Sequence, residues 1–126
     1  MFEDQAMFED RGEIEWRFHV GPAEKDGSGP SWREVDRQLR RVARRRAAVD
    51  AEELHWLALA ESAQVHRHLG LASMLEYVER VLGHGPQAGK ERLRVARALT
   101  ELPTMAAALE QGALAYTAVR ELTRRA

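Results

Sequence analysis

The chain has 126 residues, 44% of them hydrophobic and 31% charged, which is a one-domain length with enough apolar side chain for a modest core. It holds no cysteine, which excludes disulfides and thiolate metal sites and fits a reducing, cytoplasmic setting; no apolar run nears the roughly 20 residues of a membrane span, so no membrane partner is expected. The net charge of -1 conceals two opposed parts: residues 1–30 carry eight acidic and three basic residues, a net of -5, and residues 31–126 carry twelve acidic and sixteen basic, a net of +4.

Residues 1–12 repeat the tetrapeptide Met-Phe-Glu-Asp at 1–4 and 7–10. Two short copies do not make a solenoid, so this stretch reads as a tail. It also lacks the basic-then-apolar order of a signal peptide. Residues 13–20 alternate strictly, with Ile14, Trp16, Phe18 and Val20 on one face and Glu13, Glu15, Arg17 and His19 on the other. Period-two alternation is a strand signal, and Gly21-Pro22 ends it. A lone strand needs a partner, and no second strand is evident. Either two chains pair through 13–20, or the segment lies extended over the helices with Trp16 and Phe18 as anchors. The acidic arm 1–30 reads as a solvated tail or as a screen against nonspecific DNA, and 23–30 is a linker by composition.

The helical domain spans 31–126. Ser31 caps a long helix with Glu34 as its capping-box partner. Trp32, Val35, Leu39, Val42, Ala43, Ala47, Leu54, Leu57, Ala60 and Val65 keep one apolar phase, which predicts a helix from 32 to about 69, ended by Gly70. The phase holds past Asp50, favouring one continuous helix over a second one capped there. Trp32 and Trp56 read as core or core-edge residues. Four shorter helices are expected at 74–82, 87–100, 103–111 and 116–125. Ser73 and Glu76 form a capping box for the first; Gly83 then suits a left-handed cap and Pro86 the first position of the next helix.

The pair across Gly83-His84-Gly85-Pro86 has the outline of a helix-turn-helix. On its second helix Ala88, Val95, Ala96 and Leu99 make the apolar side, and Gln87, Lys90, Arg94 and Arg97 occupy the opposite arc. That division suits a recognition helix, whose outer face offers donors to phosphates and base edges. Arg92 falls on the apolar side, where a guanidinium needs a carboxylate, and Glu76 or Glu79 of the preceding helix is the expected partner. A second basic stripe, Arg33, Arg37, Arg40 and Arg44 with Arg41, lies on the long helix and fits a phosphate backbone. Solvated helix surfaces alone account for either stripe equally simply.

Signs of chemistry are wanting. His66 and His68 point about 200° apart on a helix, and there is no His-Glu-x-x-His pattern, so no metal is expected. No Gly-x-Ser-x-Gly elbow or phosphate loop occurs, and no cofactor is expected.

Residues 69–125 resemble the helical domain of unknown function that precedes the HNH nuclease domain in bacterial HNH endonucleases. The resemblance rests on Leu-Gly-Leu-Ala-Ser-Met-Leu-Glu-Tyr-Val-Glu-Arg-Val-Leu-Gly at 69–83, Glu-Arg-Leu-Arg-Val-Ala-Arg-Ala-Leu at 91–99, and Gly-Ala-Leu-Ala-Tyr-Thr-Ala-Val-Arg-Glu-Leu-Thr at 112–123. The arginine-rich helix before them is similar in character. None of the nuclease's paired histidines and asparagine can be placed on this sequence. The resemblance therefore implies the accessory half alone, without enzymatic activity.

The expected fold is all-α: one long helix packed with about four shorter ones, plus an extended or single-strand N-terminal arm. The expected function is a non-catalytic DNA-binding or nuclease-targeting module, with DNA and a nuclease as partners. The alternative is a protein-interaction or homodimerisation module, in which the long helix self-associates.

Overall fold

A computed structural model describes residues 29–125, and over them the fold is all-α. Six helices follow in order: α1 Trp32–Ser62, α2 Val65–His68, α3 Met74–Arg80, α4 Pro86–Leu99, α5 Pro103–Glu110 and α6 Tyr116–Leu122. No strand occurs among the described residues; the alternating segment 13–20 and most of the acidic arm 1–30 lie outside them. The chain divides into two units, Met1–Gln38 and Leu39–Ala126.

In the first unit the Ser31 hydroxyl accepts the Glu34 amide at 3.2 Å, so the cap expected there forms. The Glu34 carboxylate takes hydrogen bonds from Arg37 and from Gln38 instead of closing the box. Trp32 is 69% exposed, and the Arg33 guanidinium lies 4.5 Å from its ring centroid.

In the second unit the core is one cluster. Ala47, Leu54 and Leu57 of α1 meet Met74 and Val78 of α3, Leu93, Val95, Ala96 and Leu99 of α4, Leu109 of α5 and Val119 of α6. Leu93 and Val95 are about 160° apart round α4, yet both are buried. The helix is therefore covered on two sides, and it packs against α3, α5 and α6. Gly89 lets α3 come close: a Cβ there would stand 3.1 Å from Leu75 Cδ1 and 3.2 Å from Val78 Cγ1.

α1 passes Asp50 without a break, as its apolar phase predicts, but it stops at Ser62 and not near 69. Gln64 takes a left-handed conformation with φ 55°, which turns the chain before the single turn α2. Gly70, expected to end the long helix, ends α2 instead, with φ 76° and the Leu71 amide bonded to the His66 carbonyl at 2.8 Å. α3, α4, α5 and α6 fall where expected, each ending one to three residues early. The apolar phase does not translate into burial throughout. Leu39, Val42 and Trp56 are exposed, so Trp56 is no core residue.

Candidate nucleic-acid interface

The α3–α4 pair is built as its sequence dictates. Ser73 has extended backbone, and its hydroxyl accepts the Glu76 amide at 3.1 Å. The Glu76 carboxylate reaches back one residue further than a standard box, to the Ala72 amide at 2.7 Å. Gly83 has φ 80°, and Pro86 opens α4.

The cations expected to face outward from α4 have different fates. Gln87 and Lys90 are exposed. Arg94 is turned into the protein. Its Nη2 donates to Glu91 Oε1 at 2.9 Å and to the Arg120 carbonyl at 3.0 Å, and its Nη1 donates to Thr123 Oγ1 at 3.2 Å. Arg124 donates to the same Glu91 oxygen at 3.1 Å. Arg94 thus ties α4 to the end of α6, and its assignment to a groove-facing arc is corrected. The helical wheel failed because it gave α4 one buried face. α6 covers a second flank, and a long guanidinium stem reaches across to it.

Arg97 is 58% exposed but holds Glu61 of α1 in a two-pronged pair, Nε to Oε1 at 2.9 Å and Nη2 to Oε2 at 2.5 Å. Its hydrogen bonds hold the Glu61 carboxyl below the usual range, and Glu61 in turn raises the Arg97 guanidinium. A carboxylate lowered on folding contributes stability above its unfolded pKa and loses it as pH falls through the folded value. Arg97→Ala should therefore cost under about 1 kcal/mol at neutral pH, as exposed pairs do. That difference from the parent should shrink towards zero as a urea-unfolding series is taken well below pH 4.5. An unchanged difference in acid would contradict the pairing.

Arg92 is the buried guanidinium the sequence foretells, with different partners. Its Nη1 lies 2.9 Å from Asp50 Oδ1 and 3.0 Å from Glu53 Oε1, both on α1, and its Cζ lies 3.7 Å over the Tyr116 ring. Glu76 instead pairs with Arg80 at 3.1 Å, and Glu79 is not among Arg92's partners. The reason is angular. Gly89 faces α3, and Arg92 lies about 60° further round α4, towards α1. His84, in the turn before α4, joins the same cluster through Nε2, 3.2 Å from both Glu53 oxygens. Burial pushes the Tyr116 phenol up, and the Arg92 cation opposes this. Asp50, Glu53, Glu61 and Glu91 escaped the sequence reading as ion-pair partners. The only trace was Asp50 and Glu53 at three-residue spacing on the packed flank of α1.

No protein-family model matches the chain, and no curated protein or solved structure matches it either.

The other predicted cations lie on α1. In the first unit Arg33 and Arg37 are exposed, Arg37 beside Glu34. In the second unit Arg40, Arg41, Arg44, Arg45 and Arg46 are all exposed, with no acid between Leu39 and Arg46. Arg44 also packs: its Cβ and Cγ lie against Gly112, in a groove lined by Arg40, Ala43, Ala47, Leu114 and Ala115. Among the described residues no group of three or more His, Cys, Asp or Glu is placed to hold a metal ion, and no helix is long and apolar enough to cross a membrane.

Proposed function

We propose that this chain is a non-catalytic DNA-binding or nuclease-targeting accessory module, and that α1 rather than α4 carries its phosphate contacts. The observation behind this is the density of exposed arginine: seven between Arg33 and Arg46, against two acids, Glu34 and Asp36. Arginine supplies planar, always-charged donors suited to phosphate, and such contacts fix position without reading sequence. α4 exposes fewer cations: Lys90 and Arg97 are exposed, whereas Arg94 is turned towards Thr123 and the Arg120 carbonyl. The likeness of 69–125 to the domain preceding HNH nucleases supports the same reading by analogy. It makes a nuclease the natural partner, with the bond-breaking chemistry on that partner.

The test is anisotropy of a labelled DNA duplex at low salt. Replacing Arg33, Arg37 and Arg40 together by alanine should weaken binding about 500-fold at about 0.1 M salt, because each lost phosphate contact removes about 0.9 in log affinity per decade of salt below about 1 M. Lys90→Ala should change it less than about threefold. Equal losses from the two variants would return the interface to α4.

A further inference from the structure

One face of α1 is exposed among the described residues, and its pattern is regular. Val42, Arg45, Val49, Glu52, Trp56 and Leu59 follow at spacings of three and four, and all six are exposed, Val49 by 63% and Trp56 by 58%. They lie about 120–180° round the helix from the buried Leu54, the side that α1 gives to the core. A three-four spacing is the seam of a two-helix coiled coil. Charge along the same stretch is segregated. On this face Arg45 lies towards the N-terminal end and Glu52 towards the C-terminal end, while Asp50, Glu53 and Glu61 are held by Arg92 and Arg97 on the packed side. The segregation gains a use once a helix of the same sequence lies alongside in the opposite direction.

We propose that this face binds a second copy of the chain, α1 against α1, antiparallel about a two-fold axis between Asp50 and Ala51. In that register Val42 meets Leu59 of the other copy. Arg45 meets its Trp56, with its Glu52 one turn away, and Val49 meets Glu52. Two apolar layers form, and each Arg45 gains an aromatic face and a carboxylate. The seam residues run along about 27 Å of helix. A parallel pairing is disfavoured, because it sets Arg45 against Arg45 and Glu52 against Glu52. The contact is isologous, so it closes at two copies. It also leaves Arg40 and Arg44 outside the seam, so the association does not depend on DNA binding.

Sedimentation of the full chain without DNA, over a concentration series, tests this. The expected species is about twice the 14.3 kDa chain mass. Arg45→Glu and Glu52→Arg should each weaken the dimer about tenfold or more, and the two together should restore it to within about threefold. All these side chains are exposed, so circular dichroism spectra of the folded variants should overlay the parent, and their melts should match the parent's at concentrations where it too is monomeric, which separates loss of pairing from loss of folding. A monomer at every concentration would overturn the proposal, and so would single swaps without effect. Failure of the double swap to restore pairing would overturn the antiparallel register.

Discussion

Arg92→Ala should lower the unfolding free energy by about 3 kcal/mol, the lower end of the range for removing one member of a buried ion pair. The low end applies because the Arg92, Asp50 and Glu53 side chains retain 14%, 16% and 26% exposure and keep some water. The loss has two sources. Two carboxylates on α1 lose their cation, and the Tyr116 ring loses the guanidinium stacked on it. Because the cluster joins α1, α4, α6 and the turn at His84, its loss loosens the packing of α1 on the rest of the second unit. Urea unfolding measures the change. Arg92→Lys keeps the charge without the planar stack or the reach to both acids, and should fall between alanine and the parent. A loss below about 1 kcal/mol for the alanine variant would mean that the pair is effectively solvated.

Gly112→Ala should cost about as much, for a different reason. Gly112 has φ 79°, a conformation that alone costs an L-residue about 1 kcal/mol. A Cβ there would also stand 2.8 Å from Arg44 Cγ, 2.9 Å from Arg44 Cβ and 3.2 Å from Arg44 Cα. The side chain can swing, but the α1 backbone must move, which adds about 2 kcal/mol of overpacking. Gly70 supplies the control. It has φ 76° and nothing within 4 Å of an added Cβ, so Gly70→Ala should show the conformational cost alone. Thermal unfolding of the two variants should differ by about 2 kcal/mol at the midpoint. Equal losses would show that the close approach of the α5–α6 turn to α1 carries no energy.

Local features were legible in the sequence because local physics decides them. Ser31 and Ser73 cap through their own hydroxyls, Gly83 turns left-handed, and Pro86 opens a helix. The continuity of α1 past Asp50 followed from apolar phase. Its end at Ser62 did not, because Gln64 adopts a left-handed turn that its residue type does not announce. The candidate site was legible only in part, and the dividing line is the length of the side chain. Arg94 and Arg97 sit on the arc of α4 that the periodicity assigns, but their guanidiniums travel to Thr123, the Arg120 carbonyl and Glu61, whose positions follow from tertiary packing. Arg92 lies on the inward side of α4, where it needs an anion, but Glu76 and Glu79 do not supply it. Its true partners lie 39 and 42 residues away on α1, beyond any local pattern. The exposure of Leu39 and Val42 is hidden for the same reason: phase marks a face without naming what covers it.

The dependence of DNA affinity on salt tests the α1 assignment most directly. With about four phosphates contacted, log affinity should fall against log salt with a slope near -3.6, and the Arg33, Arg37, Arg40 triple-alanine variant should flatten it to near -0.9. A parent slope near zero, or a steep slope that the variant leaves unchanged, would contradict the assignment of phosphate binding to α1.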